Sequence, residues 1–354
     1  MPGAVVIVGE HGRAVYRQAF GLRALEPTPT PMTSDDIFDL ASLTKVVATT
    51  TAVMQLVEAG RIQLDTPAAA YWPAFAANGK GQITIRQLLT HTSGLAPDLD
   101  SSANWNGPED GLGRVAASRP VRPAGAAFVY SDINFMALGA IVSRVSDEPL
   151  DAYAQAHIFG PLGMADTGFD PPRSRLDRIA ATDREHGRLR WGEVQDPTAS
   201  RMGGVAGHAG LFSTADDLAR FAQMLLQGGE LDGVRVLRPE TVALMTKPAA
   251  LPGGARRGLG WDMGSAYSVG MDQAFGPASY GHTGYTGCLL WIDPGTRSFL
   301  IILTSRLHPD GRGDVKPLRQ DLGHLVGALT KGPQPATSPD QAARSASSSS
   351  GRGA

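Results

Sequence analysis

The stretch "FDLASLTKVVATTTAVMQLVEAG", residues 38–60, places Ser42 three residues before Lys45 at the start of a long apolar run. Val46, Val47, Val53, Met54, Leu56 and Val57 recur at helical spacing and fill more than one face, so the run reads as a central helix from Ser42 to Ala59. Gly60 follows where a left-handed cap is cheapest. Residues three apart on a helix share a face, with Cβ atoms about 5–6 Å apart, so Ser42 and Lys45 can point into one small volume. Two readings fit Ser42. It is a plain helix cap, or it is a nucleophile whose hydroxyl is polarised by the neighbouring amine and whose developing negative charge is favoured by the helix N-terminus.

Working outward, the chain has 354 residues, more than one core usually fills, yet no linker-like stretch interrupts it before the C-terminus. We therefore expect one domain over residues 1–331, built of two lobes with a cleft between them. From Gly332 onward "GPQPATSPDQAARSASSSSGRGA" is a polar low-complexity tail over 332–354, expected to be disordered because it cannot bury a core. A net charge of −2 with 42% hydrophobic residues offers no field for nucleic acid or an anionic membrane, so the expected partners are small molecules. The single cysteine, Cys288, excludes an internal disulfide and reads as core packing. "MPGAVVIVGE" has no basic segment and only a five-residue apolar run, too short for an export signal or a membrane span, so a cytoplasmic location is expected.

"AVVIVGEHGRAVYRQAFG" reads as a hairpin over about residues 4–20, and "CLLWIDPGTRSFLIILTS" as a second one. The turn of the second is Asp293-Pro294-Gly295-Thr296, with Gly295 expected to take a positive φ. Both hairpins are expected in one antiparallel sheet, covered by a helix over 315–331. Three further helices are read in "TIRQLLTHTSG", "DINFMALGAIVSRVS" and "STADDLARFAQMLLQGG", the last with Ser213 and Asp216 in capping-box spacing. Proline- and glycine-rich stretches over 160–210 read as loops, and "GGVAGHAG" as a flexible segment near the cleft.

Two more stretches bear on Ser42. "FVYSDINF" puts Tyr130 on a loop just before a helix, where it is either a core tyrosine or a phenol at a cleft. "YGHTGYTGCLLWIDP" puts His282, Thr283 and Gly284 beside a β-rich run, where His282 is a surface histidine or part of a ligand wall that Gly284 lets approach the backbone. Together and in this order these stretches resemble the penicillin-recognising serine hydrolases: class C β-lactamases, DD-peptidases and related esterases, which use Ser-x-x-Lys, Tyr-x-Asn and Lys/His-Thr-Gly. The likeness extends to about residue 331 and includes "LLTHTSGL" and "GGVAGHAGLFSTADDLARF". It implies an α/β (α+β) fold, a β-lactamase/transpeptidase-like antiparallel sheet flanked by helices plus an all-helical lobe. It also implies Ser42 as acylated nucleophile, Lys45 as its proton partner, and Tyr130 as the base that later protonates the leaving group. His282, Thr283 and Gly284 would line the opposite wall, and the N–H groups of Ser42 and Tyr285 would form the oxyanion hole.

Asp132 departs from that pattern, standing where the resemblance leads us to expect asparagine. An ionised carboxylate only accepts hydrogen bonds, so Asp132 either pairs with Lys45, holds it cationic and leaves Tyr130 as the phenolate base, or merely orders its loop. His91 and His208 lack metal-ligand spacing, no His-Glu-x-x-His occurs, and neither a phosphate loop nor Gly-x-Ser-x-Gly is present, so neither a metal nor another cofactor is expected. The function expected is a carboxylesterase acting on small esters through an acyl-enzyme, with weak β-lactam hydrolysis beside it. Alternatives are a D-alanyl-D-alanine carboxypeptidase, another peptide hydrolase, a β-lactamase, or a silent binding or self-assembling relative.

Overall fold

The computed structural model describes residues 1–100, 102 and 104–330, so the tail expected over 332–354 lies outside the described residues. Among them, the largest sheet has nine strands. An inner strand near one edge, Gly3–Glu10, runs antiparallel to Arg13–Ala24 on one side and to Ser298–Thr304 on the other. Leu289–Asp293, Tyr280–Thr283 and Asp262–Gly264 continue the sheet outward. The two expected hairpins therefore do share one antiparallel sheet.

Alternation along these strands explains their unbroken apolar runs. Val5, Ile7, Leu290, Ile292, Ile301 and Leu303 face the main core on the helical side. Val6, Leu289, Trp291, Leu300 and Ile302 face a second core closed by Val326 of the C-terminal helix, Lys316–Thr330, together with Met271 and Phe275. Both faces of the strands are buried, so apolar residues are needed at every position rather than at every second one. Each such aliphatic side chain contributes about 1.5–3 kcal/mol by leaving water. The helix Ala215–Leu226 covers the other face, against Gly3–Glu10 and Ser298–Thr304. Beyond it lies the helical lobe, where Asp132–Ser146 packs against Thr51–Glu58.

Several local expectations change. The central helix ends as foreseen, with Gly60 at φ +69°, but it does not begin as a regular helix. Ala41–Leu43 is a 3₁₀ turn, Lys45–Thr50 is a wide π turn, and α-helix starts only at Thr51. Threonine hydroxyls compete with the ladder here: Thr44 Oγ1 donates to the Ala41 carbonyl at 2.6 Å and Thr51 Oγ1 to the Val46 carbonyl at 2.9 Å. The cap expected at Ser213 lies one residue on, at Thr214, and is a single bond, not a reciprocal box. Thr214 accepts the Asp217 N–H at 3.2 Å, while the Ser213 hydroxyl pairs with Thr167 Oγ1 at 2.7 Å. In the Asp293–Ser298 turn the positive φ falls on Arg297, at +52°, and not on Gly295, whose N–H is held by the Asp293 carboxylate at 2.9 Å.

The glycine-rich segment is not a loose flap, since residues 206–210 are buried. Gly207 meets Gly139 of the Asp132–Ser146 helix so closely that a Cβ on Gly207 would come within 2.0 Å of the Phe135 carbonyl. The carbonyls of Gly207 and His208 accept hydrogen bonds from Thr49 and Lys45 of the central helix. Among the described residues no helix is long and apolar enough to cross a membrane.

Candidate active site

Ser42, Tyr130, His282, Thr283, Gly284 and Tyr285 line one cleft of about 590 Å³ at the end of the strand Tyr280–Thr283. Lys45 and Asp132 stand just behind it, so all eight residues singled out in the sequence come together. The Lys45 ammonium lies 2.9 Å from Ser42 Oγ, 3.0 Å from the His208 carbonyl and 2.6 Å from Asp132 Oδ1. The Tyr130 hydroxyl is a fourth oxygen within reach, so four acceptors surround an ammonium with three N–H donors. Burial works against the charge on Lys45, but Asp132, and after it Tyr130, more than offset this and hold its pKa above the ordinary lysine value. The expected pair of Lys45 and Asp132 is thus present.

Ser42 is held in place by strain just before it. Ala41 adopts φ +46°, rare for a residue with a Cβ, and its N–H donates to the buried Asp39 carboxylate at 2.8 Å. The other Asp39 oxygen takes the Gln195 N–H at 2.7 Å. Burial, partly countered by these two N–H donors, pushes the Asp39 pKa up to about 6. The Ser42 hydroxyl does not cap the helix, which removes the structural reading of that residue.

The Tyr130 hydroxyl is within hydrogen-bonding reach of Ser42 and Lys45. Burial raises its pKa and Lys45 lowers it, with a net rise, so the resting phenol keeps its proton at neutral pH. The reading of Tyr130 as a phenolate base therefore meets a phenol whose pKa is raised in the resting site. On the facing wall, His282 Nδ1 donates to the Thr283 carbonyl at 2.9 Å, which leaves Nε2 as a bare acceptor. Burial, then Arg257 and Lys45, hold the imidazole neutral, its pKa well below the ordinary value.

Gly284 fits where no side chain could: a Cβ there would lie 2.4 Å from the Leu40 carbonyl. This contact sets the 284–288 turn directly against the serine segment. Among the described residues the Tyr285 N–H has no partner, as an oxyanion donor requires. Two arginines unforeseen from the sequence grip this turn. Arg319 Nη2 donates to the Gly284 and Cys288 carbonyls at 3.1 and 2.7 Å, and Arg306 Nε to the Tyr285 carbonyl at 2.6 Å. Cys288 is buried core, as expected, its thiol pKa pushed up to about 11 by desolvation. Sequence reading also missed the pair of buried His208 and partly exposed Asp196, 3.0 Å apart, which anchors the carbonyl that Lys45 uses. The signal available was the "GGVAGHAG" segment itself.

A family model described as "Beta-lactamase" matches residues 1–324. The chain is 32% identical over 347 residues to the protein of Escherichia coli (strain K12) named "Putative D-alanyl-D-alanine carboxypeptidase", covering 87% of this chain and 79% of that one. It is equally 32% identical over 347 residues to the "N-acetylmuramyl-L-alanine amidase" of Bacillus subtilis (strain 168), covering 87% and 78%. Among solved structures, "EstCE1, a hydrolase with promiscuous acyltransferase activity" superposes with a TM-score of 0.73 over 92% of this chain and 93% of that one, at 23% identity, a likeness of fold. The chain belongs to the β-lactamase family, and it is a serine hydrolase with that family's fold.

Proposed function

We propose that this serine hydrolase cleaves small carboxylic esters through an acyl-enzyme on Ser42. The observation that carries the reading is the Lys45 ammonium, held among Ser42, His208, Asp132 and Tyr130 with its charge favoured by Asp132. A lysine so held cannot take a proton, and the task passes to Tyr130. Once Tyr130 has released its own proton, the phenolate takes the Ser42 proton as Oγ bonds to the ester carbonyl carbon. The oxyanion is met by the N–H groups of Ser42 and Tyr285, each such donor being worth roughly 2.7–4 kcal/mol. Tyr130 then returns its proton to the leaving alkoxide as the C–O bond breaks, giving alcohol and acyl-serine. Water repeats the cycle, giving up a proton to Tyr130 and releasing acid and free Ser42.

The preference for esters rests on two side chains. Asp132, engaged by Lys45, has no N–H to offer an amide carbonyl, and neutral His282 offers no charge to a terminal carboxylate. A second reading, hydrolysis of a D-alanyl peptide or another cell-wall amide, is favoured by the names of the relatives and by the cationic side chain of Lys316 in the cleft lining.

The test is kcat/KM on p-nitrophenyl esters, nitrocefin and a D-Ala-D-Ala peptide, with fluorophosphonate labelling read by intact mass in wild type and Ser42→Ala. Ester turnover above the other two, with an adduct lost in Ser42→Ala, is expected. Peptide cleavage above ester cleavage would favour the second reading, and no adduct on wild type would favour a silent binding protein.

A further inference from the structure

One residue outside the cleft lining converges on Tyr130 in three separate ways. The His91 carbonyl accepts the Val129 N–H at 2.9 Å, and His91 Nδ1 accepts the Ser131 N–H at 3.0 Å. A single side chain and its own peptide thus hold the backbone immediately before and after Tyr130. The His91 ring also stacks on the Tyr130 ring, with centroids 4.4 Å apart and planes 27° from parallel. Tyr267 adds a further ring 4.8 Å from Tyr130.

The conformation of His91 is itself costly. It is fully buried and sits at φ +56°, a region a residue with a Cβ keeps only where its surroundings impose it. A backbone N–H can only donate, so Nδ1 carries no hydrogen and the ring proton is on Nε2. Desolvation, followed by the charges of Arg257 and Lys45, keeps the ring neutral, which preserves that acceptor. Nε2 has no partner among the described residues. A buried, neutral histidine whose carbonyl, Nδ1 and ring face are all engaged around Tyr130 contributes geometry.

We infer that His91 is the positioning residue for Tyr130: it clamps the peptides on either side and stacks on the ring, fixing the phenol oxygen against Ser42 and Lys45 while exchanging no proton. This rests on Tyr130 acting as the acid–base group. A displacement of that oxygen by about 1 Å can cost on the order of 10² in rate.

Three substitutions separate the parts of the clamp. His91→Phe keeps a stacking ring and loses the acceptor. His91→Asn keeps an acceptor near Nδ1 and tolerates the left-handed backbone, but loses the ring. His91→Ala loses both. On p-nitrophenyl acetate, kcat is expected to fall about 10- to 100-fold in His91→Ala and His91→Phe, with KM within about threefold and partial recovery in His91→Asn. Ultraviolet titration of the tyrosines, with Tyr130→Phe as the difference reference, reads Tyr130 without turnover. Its ionisation should move down toward the ordinary tyrosine value of about 10 in His91→Ala. A folded His91→Ala with wild-type kcat overturns the inference. So does a kcat loss that only follows the folded fraction, with the Tyr130 titration unchanged. Should Ser42 take no fluorophosphonate in the wild type, the proposed function fails alone, and the titration still decides the clamp.

Discussion

The Ala41 N–H donates to the Asp39 carboxylate across 2.8 Å, and this bond holds the residue before Ser42 in a left-handed conformation. Asp39 serves Gln195 with its other oxygen, so both oxygens must accept, which only the ionised form does well.

A pH dependence follows from the Asp39 pKa of about 6. Below that pH one of the two N–H groups loses its acceptor, so kcat/KM should show an acid limb with an apparent pKa near 6. Stability runs the other way. The folded-state pKa is raised above the usual value near 3.9, so this group's contribution is fully present below pH 3.9 and is lost as pH rises through about 6. Asp39→Asn leaves one N–H unserved at every pH. It should lower kcat/KM and flatten the profile between pH 5 and 7, at roughly those limits. A wild-type limb unchanged in Asp39→Asn would assign it to another group.

Tyr130→Phe should cut kcat by about 10²–10⁴ with a smaller change in KM, because it removes the proton carrier and leaves the ring packing in place. Lys45→Ala should do the same, by removing the cation that favours the phenolate. Steady-state kinetics on one ester checks both, and near-wild-type Tyr130→Phe would transfer the base role to Lys45.

For Asp132→Asn two effects are expected. The carboxylate raises the pKa of both Lys45 and Tyr130, so its removal should move the basic rise in kcat/KM to lower pH. The new N–H donor should also favour amides, raising acylation by nitrocefin relative to esters by about 2- to 12-fold, the range of one neutral hydrogen bond. An unchanged pH profile together with an unchanged ratio would reduce Asp132 to a loop residue.

Gly284→Ala places a methyl carbon 2.4 Å from the Leu40 carbonyl, a backbone atom that cannot rotate away. The turn carrying the Tyr285 N–H must then retreat from Ser42. Loss of one oxyanion donor costs about 10²–10³ in kcat, and that is the expected fall, measured beside a melting curve to show the protein folded. Activity within threefold of wild type would place the oxyanion donor elsewhere.

Much of this arrangement was legible because it is written locally. The strands announce themselves as apolar runs, Thr51–Glu58 by its periodicity and Gly60 by its cap. Ser42, Lys45, Tyr130 and His282 were found because their short segments, taken together and in order, resemble the motifs of a known family, whereas each alone also fits a structural role. What stayed hidden depends on distant partners. Asp39 acquires its meaning from Gln195, Gly284 from Leu40, and His91 from a peptide 40 positions further on. The misplaced cap has another cause: Ser213 and Thr214 are adjacent and chemically alike, so only the fold chooses between them.

The pairing of Ala4 with Thr304 bears on how the protein is made. Gly3–Glu10 lies inside the sheet, and its neighbour on one side is synthesised about 300 residues later, since Ala4 pairs with Thr304. At about 5–20 residues per second, that strand waits on the order of 15–60 s for its partner. Until then Gly3–Glu10 has an open edge, and the face carrying Val6 lacks the C-terminal helix that closes its core. Nascent chains stalled anywhere before residue 304 should therefore be the species that chaperones bind and that aggregate when chaperones are withdrawn.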